Sequence, residues 1–369
     1  MADLRAQYER LKTEIDNAID QVLLSTAFVK GPEIKKFEDE LAQYLGTKHV
    51  ISCGNGTDAL QIAYMALGLK PGDEIITTGF TFIATVETMA LLGLKPVFAD
   101  IDEKTFNISP VEIRKKLTPS TRAIVPVHLF GQCADMEEIL KIAEENNLYV
   151  IEDTAQATGA DFIFRDGKRK KAGTMGIAGT TSFFPSKNLA CYGDGGAIFT
   201  DDDNLARKMR SIANHGMEIR YHYDCIGVNS RLDTIQAAIL RVKLKYLDSF
   251  NEARQKAASF YDETLADCPG IIKPYRAENS THIFHQYTIR VLNGKRNKLK
   301  EYLQSKNIPT MIYYPLPIHL QKAYRYLGWK EGDLPVTEQV CHEVLSLPVC
   351  SEIDREQLEY IAKSVIEFF

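Results

Sequence analysis

No stretch of this chain approaches the roughly 18 consecutive apolar residues that a membrane-spanning helix needs. The amino-terminal segment from Leu4 to Leu24 is amphipathic and charged, so it does not read as a secretory signal peptide. Basic residues are not in excess: 44 Lys and Arg stand against 49 Asp and Glu, a net charge of −5. Without a basic stripe the chain lacks the electrostatic footprint of a nucleic-acid partner. Its one dense basic run, Lys168-Arg169-Lys170-Lys171, follows Asp166-Gly167 and reads as a solvated hairpin turn. Seven cysteines occur and none forms a C-x-x-C pair, which leaves no motif for structural zinc or another metal. An odd count of scattered cysteines fits free thiols in a reducing compartment, hence a cytoplasmic protein. There is no internal repeat and no low-complexity linker. The remaining composition, 45% hydrophobic and 25% charged over 369 residues, is ordinary and long enough for two domains.

What is present is periodicity. Leu4, Tyr8, Leu11, Ile15, Ile19 and Val22 recur at helical spacing, as do Ile34, Phe37, Leu41 and Leu45 with Gly46 as the stop. Short apolar strands then alternate with helices: His49 to Cys53, Glu74 to Thr78, Lys95 to Asp100, Ala123 to His128, Tyr149 to Glu152, Thr180 to Phe184 and Ala197 to Thr200. This alternation predicts an α/β fold with a mostly parallel, seven-stranded sheet covered on both faces. From Asp233 to about Ala266 the pattern is that of one long helix leaving the large domain. Beyond it come two strands, His285 to Val291 and Thr310 to Tyr314, and two helices, Lys295 to Ser305 and Asp354 to Phe368. The expected division is a large domain, 1–245, and a smaller α+β carboxyl-terminal domain, 246–369.

Three segments carry chemistry. In Ser182-Phe183-Phe184-Pro185-Ser186-Lys187-Asn188, a lysine sits on a short turn between apolar runs, ahead of the glycine-rich Gly193-Asp194-Gly195-Gly196. Alone it reads as a solvated surface lysine. Held in a site with a lowered pKa, it can attack an aldehyde and hold it as a Schiff base. Asp153, in Glu152-Asp153-Thr154-Ala155-Gln156, closes a buried strand at the edge where α/β sheets bind ligands. It is either a helix cap or a carboxylate for a pyridinium N–H. Ser52-Cys53-Gly54-Asn55-Gly56-Thr57-Asp58 links a strand to a helix. The amides of Gly56 and Thr57, with the Ser182 hydroxyl, are candidate donors to a phosphate.

Together with Gly31-Pro32, Thr81-Phe82-Ile83-Ala84-Thr85, Val127-His128-Leu129-Phe130-Gly131-Gln132 and Gly227-Val228-Asn229-Ser230-Arg231, these segments resemble the DegT/DnrJ/EryC1/StrS sugar aminotransferases. Those are pyridoxal-phosphate enzymes of fold type I, and the resemblance runs over nearly the whole chain. It implies pyridoxal 5′-phosphate as cofactor, Lys187 as its tether and proton carrier, and Asp153 as the partner of its ring nitrogen. It implies Phe82 against the cofactor ring and Gln156 on its face or its 3′ oxygen. As alternatives, Phe82 is plain core and Gln156 a helix-surface amide. Asn229 and Arg231 are expected to complete the site of a neighbouring subunit, Asn229 at the phosphate and Arg231 at a carboxylate, so the unit is a homodimer with shared active sites. An ion pair of Arg231 with Asp233 is the alternative.

The substrates implied are a nucleotide-linked keto sugar, 3-keto and UDP- or dTDP-linked, and L-glutamate. Tyr313 and Tyr314 are the expected sugar contacts, although relatives carry His-Tyr-Pro where this chain has Tyr313-Tyr314-Pro315. His319 and the pair His282/His285 are possible ligands, but each reads better as a core or surface histidine. A 4-keto specificity is the alternative outcome on this scaffold. A non-catalytic regulator is the other, and it is expected to lack Lys187 or Asp153.

Overall fold

The computed structural model of the protein describes residues 3–369. Helix α1 (Leu4–Ser25) starts at Asp3, whose carboxylate accepts the Ala6 N–H. It lays Leu11 and Ile15 against Ile239, Val242 and Phe250. Helix α2 (Pro32–Leu45) begins with proline, whose missing N–H costs nothing in a first turn. It stops at Gly46, whose φ of 71° lets its amide turn back onto the Ala42 carbonyl.

The strands are β1 (His49–Cys53), β2 (Glu74–Thr78), β3 (Lys95–Ala99), β4 (Thr121–Ile124), β5 (Tyr149–Asp153), the hairpin β6 (Asp161–Ile163) and β7 (Arg169–Lys171), then β8 (Ala178–Ser182) and β9 (Gly196–Thr200). Seven of them form one sheet in the order β1–β9–β8–β5–β4–β2–β3. β9 alone runs antiparallel to its neighbours; the other pairings are parallel. Successive residues enter different cores. Ile75, Ala123 and Ile151 join one apolar cluster, while Ile76, Ile124 and Val150 join another. Since consecutive side chains on a strand point to opposite faces, the two clusters lie on the two faces of the sheet. That is the doubly covered, mostly parallel α/β arrangement that the strand–helix alternation predicts.

Beyond Leu247 a second sheet forms from β10 (Ile271–Ile272), β11 (Tyr287–Val291) and β12 (Val344–Leu347), all antiparallel. Helices Leu247–Thr264, Arg296–Ser305 and Arg355–Phe368 accompany it. Tyr261, Leu299, Leu345 and Ile361 belong to its separate core. On that ground we propose a domain division between residues 245 and 246.

Three local expectations are corrected. The long helix is two, Thr234–Leu244 and Leu247–Thr264, interrupted at Lys245 and Tyr246. The Tyr246 ring stacks on Phe250, while its hydroxyl is held by Glu14 of α1, a distant contact that helical periodicity does not encode. No helix follows β5. Residues Thr154–Ala160 turn repeatedly, through Ala157 N–H to Thr154 O and Ala160 N–H to Ala157 O, with Gly159 at φ 97°. Thr310–Tyr314 contributes one bridge, Met311 to Ser346, instead of a strand. Pro309, Pro315 and Pro317 supply no amides for a ladder there.

Candidate active site

The order of the sheet brings three chain segments to one edge. β1 ends at Cys53 and β8 ends at Ser182, and both residues pair with Gly196, where the reversed β9 begins. Glycine is required at that crossing. A Cβ on Gly196 would lie 2.4 Å from the backbone of Asn55, and one on Gly56 would lie 2.7 Å from the Ser182 Cβ. Helix α3 (Gly56–Leu67) starts here, its Asn55 side chain accepting the Asp58 N–H at 2.8 Å. The amides of Gly56 and Thr57 precede any intrahelical acceptor. With the Ser182 hydroxyl they form a cradle for an anion at a positive helix end.

Asp153 ends β5 beside this cradle, in register with Thr180 of β8. It is buried. Its Oδ2 accepts from Thr85 Oγ1 at 2.9 Å and its Oδ1 from the Ala155 N–H at 3.1 Å. Thr85 lies on α4 (Ala84–Leu91), and its hydroxyl is 3.1 Å from that of Thr81. The neighbouring Glu152 points away into the protein. It accepts from the amides of Gly173, Met175 and Gly176 and from the imidazole of His128. His128 Nδ1 accepts the Ala134 N–H, so the ring proton is on Nε2, facing Glu152.

A cavity of about 580 Å³ opens over these groups. It is lined by Lys187, Asp153, Gly56, Thr57, Phe82, Gln156, Ser182, Tyr313 and Tyr314. Lys187 sits on a turn closed by its own N–H on the Phe184 carbonyl. Burial draws its amine down to a pKa of about 8, against the pull of the Asp153 carboxylate. No acceptor is within hydrogen-bond distance of the amine among the described residues. Phe82 is 56% exposed and faces the cavity rather than the core. Gln156 is buried, not on a helix surface: its Oε1 accepts the Phe130 N–H and its Nε2 donates to the Tyr314 hydroxyl at 3.1 Å. Burial raises the phenols of Tyr313 and Tyr314.

Asn229 and Arg231 are not in this cavity. Asn229 is exposed, and Arg231 lines a different hollow of about 640 Å³. The proposed Arg231–Asp233 ion pair does not form among the described residues. The loop is nonetheless tied to the cradle, because Ser230 Oγ accepts the Gly54 N–H at 2.9 Å and donates to Asp58 at 2.6 Å.

Three residues at the site, the buried Thr85 behind Asp153 and the cavity residues Asp194 and His285, have no role assigned from sequence. Thr85 was signalled only by threonines at 81, 85 and 88, a helical spacing on an otherwise apolar segment. Asp194 lay in the glycine-rich loop without an assigned task. His285 stood out in the sequence only as one of a His282/His285 pair that reads as core or surface; the partners that place it are distant in the chain.

The groups present fit pyridoxal 5′-phosphate: a cradle that added Cβ atoms would fill, a fixed carboxylate, and an amine of lowered pKa. Such a site on such a sheet is that of a pyridoxal-phosphate-dependent transaminase. Comparison with known proteins narrows the class. The family model described as the DegT/DnrJ/EryC1/StrS aminotransferase family matches residues 9–366, and the chain belongs to that family. It is 48% identical to a pleiotropic regulatory protein of Geobacillus stearothermophilus, over 100% of this chain and 98% of that one. It is 46% identical to a UDP-2-acetamido-2-deoxy-3-oxo-D-glucuronate aminotransferase of Pseudomonas aeruginosa, over 98% of each. A crystal structure of S. venezuelae DesV in complex with a ketimine intermediate matches with a TM-score of 0.95 at 39% identity, covering 100% of this chain and 97% of that chain. The protein is thus an aminotransferase of that family.

Proposed function

We propose that the protein transfers an amino group from L-glutamate to C3 of a nucleotide-linked 3-keto sugar, as a homodimer in the cytoplasm. The observation that carries the reading is the amine of Lys187, lowered to about 8 in the same cavity as Asp153. Bound pyridoxal phosphate supplies the electron sink that loosens a C–H bond next to nitrogen. Lys187 tethers it and, once free, carries a proton between carbon atoms of substrate and cofactor. An amine near 8 is partly neutral at physiological pH, so it can accept that proton. Asp153 holds the proton on the ring nitrogen. Gly56, Thr57 and Ser182 bind the phosphate, joined by Asn229 from the second subunit. Phe82 and Gln156 flank the ring, while Tyr313 and Tyr314 face the sugar.

Borohydride reduction followed by peptide mass spectrometry tests the tether, with the cofactor expected on Lys187. Its presence on another lysine, or near wild-type turnover in Lys187→Ala, rejects the assignment.

The 46% identity to an enzyme named for a 3-oxo-glucuronate supports a uronate substrate, with Arg231 of the neighbouring subunit pairing with its carboxylate. A neutral dTDP-linked 3-keto-6-deoxyhexose is the contrasting case. Arg231→Lys separates them. A uronate enzyme loses sugar affinity by about 10- to 150-fold, the equivalent of one charged bidentate contact. A deoxyhexose enzyme loses the glutamate half-reaction instead. A product aminated at C4 rejects both.

A regulator on the same fold has one observation in its favour, the name of the 48% identical relative. This chain keeps both Lys187 and Asp153 in one cavity, which a regulator has no need to retain. Failure to retain the cofactor covalently after borohydride would favour the regulator.

A further inference from the structure

Transamination as described leaves the imidazole of the cavity without a task. His285 lines the cavity with Lys187. It follows Phe284, whose φ of 47° turns the chain just before β11 begins. Arg254, on helix Leu247–Thr264, pins this turn by donating to the carbonyls of Phe284, His285 and Val349 at 3.2, 3.4 and 3.1 Å.

The hydrogen bonds around His285 determine its tautomer. Asn188 directly follows Lys187. Its Nδ2 lies 2.7 Å from Asn251 Oδ1 and 3.3 Å from the Ile283 carbonyl. A main-chain carbonyl only accepts, so that end of the amide is the NH2 group. The other end, Oδ1, is 3.2 Å from His285 Nδ1. An amide oxygen also only accepts, so Nδ1 carries a hydrogen. Burial, Lys187 and Arg254 hold the imidazole well below its usual pKa, and the ring is neutral. A neutral ring has one N–H, and it is spent on Asn188. Nε2 is therefore a bare lone pair, engaged by no protein donor among the described residues. His282, three residues earlier in the chain, is the opposite case. Its Nδ1 accepts the Phe284 N–H at 3.1 Å and its ring stacks on Phe284, so its proton is on Nε2.

We propose that His285 is a positioning residue for Lys187: its bare Nε2 accepts a hydrogen bond from the lysine amine when that amine, released from the cofactor, swings towards the ring. No proton is transferred to the imidazole. The bond restricts a long side chain with several rotatable bonds, and it keeps the nitrogen lone pair over the reacting carbons between the tethering and proton-carrying tasks. Asn188 serves this purpose through His285, which accounts for its place beside the lysine. Lys187 and Arg254 are the charged groups that face the ring, and both oppose an imidazolium, so the acceptor persists across the working pH range.

The proposal rests on Lys187 being the reacting amine, and its test separates the two claims. Nitrogen-15 NMR of the histidine rings, in the holoenzyme and in cofactor-free protein, reads the tautomer directly. The His285 signal, identified by its loss in His285→Gln, is expected to show Nδ1–H with bare Nε2 from about pH 6 to 8. An Nε2–H tautomer or an imidazolium in that range overturns the proposal without touching the Lys187 assignment.

Two variants then test the consequence. Gln places a carbonyl near the Nε2 position, whereas Phe places none. His285→Phe is expected to lose about five- to tenfold in the rate of the glutamate half-reaction, the scale of one neutral hydrogen bond. Cofactor affinity and KM for glutamate should be unchanged, and His285→Gln should recover most of the rate. A Phe variant as fast as wild type, or a Gln variant as slow as Phe, overturns the proposal. If Phe does not fold, the NMR result on the wild-type chain and the Gln variant decide. Cofactor found on another lysine after borohydride removes both claims together.

Discussion

Thr85 Oγ1 donates to Asp153 Oδ2 at 2.9 Å, across 68 residues of chain, and thereby fixes a carboxylate from a neighbouring helix. The second oxygen is held by the Ala155 amide, so the carboxylate cannot rotate freely. Loss of the charge should cost more than loss of the orientation. Asp153→Asn is expected to slow turnover about 10- to 100-fold, the equivalent of one charged hydrogen bond. Thr85→Val should slow it by less than about tenfold and leave the fold intact. Half-reaction kinetics of the two variants check the order; equal losses would show that the hydroxyl contributes as much as the charge.

The lowered pKa of Lys187 predicts a pH dependence with a definite sign. Its folded pKa, about 8, lies below its model-compound value of 10.5. The folded state therefore binds this proton more weakly than the unfolded chain does. The destabilisation is complete below about pH 8 and is relieved as pH rises towards 10.5. In cofactor-free protein, Lys187→Met should raise the melting temperature at pH 7, with a difference from wild type that shrinks by pH 10. An amine-selective reagent should label Lys187 with a midpoint near pH 8. A midpoint near 10.5 would show that the amine is solvated.

The proposed sharing of active sites between two subunits is tested by a mixing experiment. Lys187→Ala subunits and subunits with both Asn229→Ala and Arg231→Ala are each expected to be inactive. After subunit exchange, a mixed dimer holds one site with every contribution intact. Activity should return to about one quarter of the wild-type level if half the dimers are mixed and each has one working site. Sedimentation of a fully active monomer would exclude the arrangement.

Gly196→Ala should damage both sheet and cofactor binding. The new Cβ meets the main chain of Asn55 at 2.4 Å, which no side-chain rotation relieves. A loss of about 1–3 kcal/mol of stability is expected, with weakened phosphate affinity. Gly46→Ala is a useful contrast, since space is open there and only the positive φ opposes it. Equal cofactor affinity in wild type and Gly196→Ala would mean the cradle adapts.

Much of this molecule is legible in local chemistry. β1 and β2 run over the residues that their apolar runs mark, because Gly54 and Pro71-Gly72-Asp73 bound them on the sides where periodicity alone is vague. Lys187 and Asp153 stand out because each ends an apolar run with a charge. What stays hidden depends on distant partners. His285 acquires its tautomer from Asn188, 97 residues away. The break at Lys245–Tyr246 depends on Glu14, and the 310–314 segment fails as a strand because prolines surround it. Asn229 and Arg231 lie outside their own chain's cavity, and their expected task belongs to an assembly rather than to one chain.

The reversal of β9 also governs when the site can exist. β1 pairs with nothing in its sheet except β9, and nearly all of the large sheet is encoded between them. During synthesis the first strand must wait, unpaired, until Gly196–Thr200 has emerged. Such non-local pairing closes late, because loop-closure entropy is lost before contacts repay it. The anion cradle of Gly56, Thr57 and Ser182, built where Gly196 crosses Asn55, is then among the last features to assemble. Phosphate binding selects chains whose sheet is complete, and cofactor supply becomes a determinant of how much folded protein accumulates.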